Sequence, residues 1–141
     1  MDPLTIVGLV SSAVQLTQLA CRILSNCFGY YRAVQNSRKD AMALREEVIQ
    51  LLRLIEEVQV LAEGCDESSP LLPSIKKEFD DIKALLGEVL AYTAPQETRG
   101  VRVLRWPSRQ HETSRLIAKI KAGKERLILL FHGQNQYNPQ R

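Results

Sequence analysis

Residues 41–62 read AMALREEVIQLLRLIEEVQVLA, and the spacing of their apolar residues predicts the fold. Apolar side chains recur there at alternating steps of three and four, which is the seam of an amphipathic helix over three heptads. The seam residues are Ala41, Leu44, Val48, Leu51, Ile55, Val58 and Ala62. The residues that widen this seam are Ile49, Leu52 and Leu61. A face this broad is typical of a helix in a bundle rather than of a two-stranded coiled coil.

The ends of this helix carry ordinary start and stop signals. Ser37 and Asp40 are suitable N-terminal residues, and Gly64 is a natural left-handed cap. On the outer face, Glu46 and Glu47 lie near Gln50 and Arg53 in helical spacing. We therefore expect solvated pairings along the helix, each contributing a few tenths of a kcal/mol.

Two further helices follow on the C-terminal side. The segment CDESSPLLPS at 65–74 predicts a loop in which either proline can begin the third helix, and Pro95 ends that helix near Ala94. Its seam is Leu72, Ile75, Phe79, Ile82, Leu86 and Val89. A connector, APQETRGVRVLRWP at 94–107, has Gly100 as a hinge point and contains the only period-two alternation, VRVLRW at 101–106.

The fourth helix is expected to begin between Pro107 and Thr113 and to end at Gly133. Its seam is Leu116, Ile120, Gly123, Leu127 and Leu130, widened by Ile117, Ile128 and Phe131. The sequence thus predicts an all-α bundle of four helices, or up to five, with a long loop before the last helix. The simplest arrangement of these helices is antiparallel. Residues 1–133 form the bundle, and residues 134–141 are a flexible polar tail or the start of a linker.

The N-terminal helix is the least ordinary part of the chain. Nineteen residues without a charge, PLTIVGLVSSAVQLTQLAC at 3–21, follow Asp2, which with Pro3 makes a good helix start. The acidic start argues against a signal peptide, and the polar residues argue against a solitary membrane span. The polar side comprises Ser11, Ser12, Gln15, Gln18, Arg22 and Asn26. The apolar side comprises Ile6, Leu9, Val10, Ala13, Val14, Leu16, Ala20, Ile23 and Leu24, and it suits either a protein core or lipid.

Charge is unevenly distributed along the chain. Residues 41–88 hold eleven acidic and five basic side chains, a net of −6, whereas residues 97–141 hold ten basic and three acidic ones, a net of +7. The basic part can pair with anionic lipid or with the acidic middle of the chain. Nucleic acid is not expected as a partner, because no stacking platform of aromatic and basic residues accompanies the charge.

The residues predict no enzyme, no metal site and no cofactor. The two histidines, His111 and His132, lack neighbours at metal-ligand spacing, and the glycines form no phosphate-binding loop. The three cysteines have no CxxC spacing, so free thiols in a reducing compartment are expected.

Three stretches of the chain resemble the fungal HeLo-like domains. They are MDPLTIVGLVSSAVQLTQLACRIL at 1–24, ALREEVIQLLRLIEEVQVLAE at 43–63 and LRWPSRQHETSRLIAKIKAGKERLILLF at 104–131. These domains are effector modules of fungal cell-death and allorecognition proteins, and they resemble the helical bundle of mixed lineage kinase domain-like proteins. The resemblance implies a domain that is cytoplasmic at rest and permeabilises the plasma membrane through its first helix. Clustering by an activating receptor, such as a NACHT-type protein, or by an amyloid-forming partner would cause self-association.

Carried onto this chain, the resemblance names the membrane-inserting residues, and the charge pattern adds candidates for contact with lipid headgroups. The membrane-inserting candidates are Leu4, Ile6, Val7, Leu9, Val10, Ala13, Val14 and Leu16. The candidates for contact with anionic lipid headgroups are Arg102, Arg105, Arg109, Arg115, Lys119, Lys121 and Lys124. The alternative is a soluble helical signalling or scaffold domain of a NACHT-type receptor that never enters a membrane.

Overall fold

The chain forms a four-helix bundle with a small β-hairpin before the last helix. The computed structural model describes residues 4–33, 38–66, 68–94, 96–98, 101–103 and 110–137, with side chains in 7–28, 39–66, 68–94 and 112–132. The helices are α1 (Leu4–Ala33), α2 (Arg38–Glu63), α3 (Leu71–Thr93) and α4 (Gln110–Tyr137). The predicted all-α bundle of four helices is confirmed.

The predicted seams of α2 and α3 are confirmed residue by residue. Every seam residue of these two helices is buried, and Phe79 is the largest of them. In α4, Leu116, Ile120, Gly123 and Leu127 are buried and Leu130 is half-buried. Because each helix turns its seam inward, the four seams form one continuous core.

Most helix boundaries agree with the sequence signals. Pro70 lies directly before α3, and the Ser69 Oγ accepts a hydrogen bond from the Leu71 N–H at 3.2 Å. At the other end, Ala94 is the C-terminal cap before Pro95. The proposed start at Asp2 and Pro3 and the candidate start at Ser37 lie outside the described residues.

Two predictions about glycines are wrong. Gly64 follows α2 as expected, but its φ does not lie in the left-handed region, and its N–H bonds to the carbonyls of Val60 and Leu61 as in a helical turn. Gly133 does not end α4, which continues to Tyr137. A glycine inside a helix costs only about 1 kcal/mol relative to alanine, and no proline follows until Pro139. The division into a bundle at 1–133 and a tail at 134–141 stays a prediction.

The connector before α4 contains two short antiparallel strands. They are β1 (Gln96–Thr98) and β2 (Val101–Val103), in a register that pairs Gln96 with Val103. The second strand lies within VRVLRW at 101–106, the stretch with period-two alternation. The proposed hinge at Gly100 and the Trp106–Pro107 pair lie outside the described residues.

The order of the helices around the core differs from the simplest antiparallel arrangement. Asn26 and Thr93, near the C-terminal ends of α1 and α3, are hydrogen-bonded at 3.3 Å, so these neighbouring helices run parallel. Tyr92 and Thr113 are 2.7 Å apart across an antiparallel α3–α4 pair. Helices α2 and α3, although consecutive, therefore lie diagonally across the bundle.

The length of the α2–α3 connection explains this diagonal arrangement. Neighbouring helices pack about 8–10 Å apart, so the diagonal of a four-helix bundle is roughly 14 Å. The seven residues at 64–70 can span about 23 Å when extended. The connection is therefore long enough to cross one end of the bundle.

Candidate functional site

Helix α1 is the described helix that is long and apolar enough to cross a membrane. The qualifying stretch is Val7–Phe28, with 22 residues and a mean hydropathy of 1.3, and one third of it is buried in the bundle. Core helices of soluble proteins also meet this criterion of length and composition. The distribution of its side chains between core and surface is therefore more informative than its hydropathy.

One face of α1, its inner face, belongs to the core. The residues of this inner face are Leu9, Ala13, Leu16, Ala20, Ile23 and Cys27, all at most 2% exposed. They recur at steps of three and four, and α2 and α3 both pack against this helix. The inner face is therefore a seam equivalent to those of the other three helices.

The proposed membrane-inserting residues are divided between core and surface. Leu9, Ala13 and Leu16 lie in the core, and Val10 is half-buried, whereas Val7 and Val14 are 63% and 50% exposed. The side chains of Leu4 and Ile6 lie outside the described residues.

The predicted polar side of α1 is also partly wrong. Ser12 was assigned to the polar side but is buried at 6% exposure, and Val14 was assigned to the apolar side but is half exposed. The reason is that α3 packs against the side that carries Ser12 and Asn26, as the bond from Asn26 to Thr93 shows. The buried face of α1 therefore lies closer to Ser12, and farther from Val14, than the sequence predicts.

A second apolar row runs along α1 beside the inner face, and we call it the outer stripe. It consists of Val7, Val10, Val14, Thr17, Cys21 and Leu24. Val7, Val14 and Cys21 are exposed, and the other three are half-buried. The Thr17 hydroxyl donates to the Ala13 carbonyl at 2.9 Å, so the one polar side chain in the row has its hydrogen bond within the helix. Val7, Val10 and Val14 are among the membrane-inserting candidates, but the sequence does not separate their row from the inner face, because the two heptad rows lie side by side on the helix.

An apolar groove lies between α1 and α2 near the C-terminal end of the outer stripe. Its volume is about 250 Å³, and its lining is Cys27, Phe28, Ala41, Met42 and Arg45. Burial raises the pKa of the Cys27 thiol to about 12, and the positive charge of Arg45 opposes this shift. Cys27 is therefore a protonated core residue at neutral pH.

The described headgroup candidates are mostly paired with acidic residues of the bundle. Arg115 Nη2 lies 2.9 Å from Glu88 Oε1, and Lys119 Nζ lies 3.4 Å from Glu88 Oε2. Hydrogen bonding from Arg115, with a smaller contribution from Lys119, lowers the pKa of Glu88. Glu112 and Glu88 in turn raise the pKa of Arg115.

Lys124 has the most enclosed of these pairings. Its Nζ lies 2.8 and 3.1 Å from the two carboxylate oxygens of Glu47 and 2.6 Å from Gln50 Oε1. Glu47 is 8% exposed, so its predicted position on a solvated outer face is wrong. Glu46 and Gln50 do form the expected local pair, at 3.2 Å. Glu47 is covered because α4 packs against the side of α2 that carries it.

The remaining basic candidates are Lys121 and the three arginines of the connector. Lys121 is exposed and forms no ion pair with the residues that the structure describes. The side chains of Arg102, Arg105 and Arg109 lie outside the described residues. The positive charges of Arg115, Lys119 and Lys124 are therefore paired with carboxylates from the acidic middle of the chain.

The described residues contain no metal centre. In the part of the chain that the structure describes, no three His, Cys, Asp or Glu side chains are grouped so that they could hold a metal ion. The three cysteines form no disulfide: Cys21 is exposed, Cys27 is buried and Cys65 is half-buried.

Comparison with known proteins identifies no relative. No family model, no curated protein and no solved structure matches this chain.

Proposed function

We propose that this chain is a cell-death effector domain that permeabilises the plasma membrane through α1 after a partner clusters it. The observation that carries the proposal is the division of α1 into two apolar faces. Its inner face packs in the bundle, while Val7 and Val14 of the outer stripe are exposed on the described helix that is both long and apolar enough to span a bilayer. Apolar residues on both faces allow α1 to exchange protein contacts for lipid contacts.

The cost of releasing α1 explains why the proposal includes a trigger. Burying a leucine or isoleucine contributes about 1.5–3 kcal/mol, so Leu9, Leu16 and Ile23 together contribute roughly 5–9 kcal/mol. The whole stability of a domain is about 5–15 kcal/mol. A released α1 must therefore bury the same side chains again, in lipid or against other copies, which is what clustering at a membrane provides.

The polar residues of α1 favour an oligomer over a single spanning helix. Ser11, Gln15 and Gln18 would be unsatisfied in hydrocarbon, at a cost of kilocalories per group. Several copies can turn these residues toward one another or toward water. Lys121 is exposed and available to anionic headgroups in the resting bundle, whereas Arg115, Lys119 and Lys124 would first have to leave their carboxylate partners.

The second candidate is a soluble scaffold domain that does not enter membranes. It is favoured by the ion pairs that join the basic α4 to α2 and α3. In these pairs, carboxylates neutralise the basic side chains that would otherwise attract anionic lipid. Under this alternative the inner face of α1 is simply a core element.

Dye release from lipid vesicles distinguishes the two candidates. The chain, clustered by an antibody against a C-terminal tag, is added to vesicles of phosphatidylcholine with phosphatidylserine and to vesicles of phosphatidylcholine alone. We expect leakage from the anionic vesicles upon clustering. Val7→Asp and Val14→Asp change exposed residues, so these variants should fold and lose the leakage. Leu129→Asp, which places the same charge on an exposed apolar residue of α4, is the matched control.

Absence of dye release in this assay would contradict the membrane proposal. If the clustered, folded chain releases no dye from either kind of vesicle, α1 is not a membrane-permeabilising helix. The scaffold candidate then remains. If Leu129→Asp abolishes leakage as fully as Val14→Asp, the outer stripe has no particular role in it.

A further inference from the structure

The outer stripe of α1 has the spacing of a helix-packing seam. Its residues recur at steps of three, four, three, four and three, over more than two heptads. This spacing lets a row of side chains interlock with a neighbouring helix. Within the described part of the chain, α2 and α3 pack against the inner face, and Val7, Val14 and Cys21 remain exposed.

A row of residues on α2 continues this apolar surface, and we call it the α2 rim. It consists of Arg45, Ile49, Leu52 and Glu56. Arg45 and Glu56 are exposed at its two ends, with the half-buried Ile49 and Leu52 between them. Eleven residues are almost exactly three helical turns, so Arg45 and Glu56 lie on the same face of α2, roughly 16 Å apart. Arg45 lines the groove that also contains Phe28, so the rim and the outer stripe belong to one surface.

The charges at the ends of the α2 rim are opposite and without partners in the bundle. Neither Arg45 nor Glu56 forms an ion pair with any residue that the structure describes. Arg45 is near the C-terminal end of the outer stripe, because it shares a groove with Cys27. Since α1 and α2 are antiparallel, Glu56 is beside the N-terminal half of the stripe.

We propose that the outer stripe and the α2 rim together bind a second copy of the chain. The two copies are related by a two-fold axis that passes between their α1 helices at the level of Thr17. Thr17 is near the middle of the outer stripe, so an axis at this level lets the two stripes overlap along most of their length. The axis places the two α1 helices antiparallel, with each Arg45 facing Glu56 of the second copy. A two-fold interface requires such a self-complementary patch.

The chemistry along the stripe fits a second copy of this chain. The row of exposed residues next to it is Ser11, Gln18 and Ser25, which are uncharged and cause no repulsion between copies, and the exposed Arg22 lies one row further from the stripe. Thr17 donates its hydroxyl proton within its own helix, so two facing Thr17 side chains need no further partner. A parallel two-fold pairing would instead place the two α2 helices on opposite sides of the α1 pair, so that Arg45 and Glu56 would not meet across the interface.

The dimer forms in solution and needs no lipid, so it is independent of the proposed function. Sedimentation equilibrium of the whole chain, measured over about a hundredfold range of concentration, should give twice the chain mass of 16.0 kDa at the upper end. Arg45→Glu and Glu56→Arg each place like charges together and should give monomers. The double variant Arg45→Glu/Glu56→Arg restores the pairing, and so does an equimolar mixture of the two single variants.

A cysteine cross-link tests the antiparallel register directly. The axis places Val14 opposite Cys21 of the second copy, so Val14→Cys should form a disulfide-linked dimer upon mild oxidation. Adding Cys21→Ser to that variant should abolish the cross-link. The wild-type chain is the control, because its two Cys21 residues are separated along the antiparallel pair.

Several outcomes would overturn the proposal. They are a wild-type chain that is monomeric at every concentration, a dimer that withstands Arg45→Glu, and a double variant that stays monomeric although circular dichroism shows it folded. Dye release from the same samples is read separately. A dimer that leaks no vesicle contents refutes only the proposed membrane function, and a leaking monomer refutes only the dimer.

Discussion

Lys124 of α4 and Glu47 of α2 form an ion pair at 2.8 Å that is nearly enclosed by the bundle. The two side chains are 15% and 11% exposed, in contrast to the Arg115–Glu88 pair on the surface, where both exceed 40%. A charge that is largely removed from water depends on its partner far more than an exposed one. This contrast determines which charge substitutions should affect stability.

Removing one member of the enclosed pair should destabilise the bundle. For Glu47→Leu, which leaves Lys124 with Gln50 alone, we expect the free energy of unfolding to fall by about 2 kcal/mol or more. The double variant Glu47→Leu/Lys124→Met should recover most of that loss, because it leaves no uncompensated charge. Urea denaturation followed by circular dichroism measures both. A single variant as stable as the wild type would contradict the role of this pair.

The surface pairs of α3 and α4 should contribute to the pH dependence of stability. Hydrogen bonding from Arg115 lowers the pKa of Glu88 in the folded state. The stabilisation from this group is therefore present above the ordinary pKa of a glutamate and is lost as the pH falls through the lowered value. The melting temperature of Glu88→Gln should depend less on pH than that of the wild type in the acidic range. Identical acid profiles for the two proteins would exclude Glu88 as a contributor.

Replacing Gly87, which lies within α3, by alanine should stabilise the bundle. A Cβ added at Gly87 would have no atom within 4 Å outside its own helix and chain neighbours, and the residue lies well inside α3. Gly87→Ala should therefore raise the free energy of unfolding by about 0.5–1 kcal/mol, through the lower entropy of the unfolded chain. The melting temperature should rise by a few degrees. A drop in melting temperature would contradict the free space for a methyl group at Gly87.

The three thiols should differ widely in reactivity. Cys21 is exposed, whereas burial raises the pKa of the Cys27 thiol to about 12. A thiol reagent at pH 8 should modify Cys21 rapidly and Cys27 only after the bundle unfolds, because the thiolate is the reactive form. In a Cys65→Ser background, which removes the half-buried third thiol, Cys21→Ser should remove the fast phase and leave the slow one. Rapid labelling of Cys27 in the folded Cys21→Ser chain would show that α1 leaves the bundle without a trigger.

Periodicity within each helix was enough to predict the bundle. Every predicted seam residue of α2 and α3 is buried, because each helix has a single apolar face to bury, although α3 also buries Leu85 and Thr93, which the seam did not include. The turn signals left Pro70 and Pro73 as possible starts of α3 and Pro95 as its end, and the helix runs from Leu71 to Thr93. Gly133 misled because a glycine is a weak helix breaker when the residues after it still allow a helix.

The candidate site was harder to predict, because it depends on which helices become neighbours. The apolar residues of α1 cover so much of its circumference that two heptad rows, the inner face and the outer stripe, fit the same sequence. Only the packing of α3 beside Ser12 and Asn26 left Val7 and Val14 exposed.

By itself the sequence determined four amphipathic helices, their approximate ends and the residues that meet in the core, since hydrophobic burial acts on a pattern that is local in the chain. The tertiary structure alone decided that α2 lies diagonal to α3 and that Glu47 faces Lys124 rather than water. It also decided which apolar row of α1 remains on the surface. These features depend on contacts between residues far apart in the chain, for which the spacing within one helix carries no information.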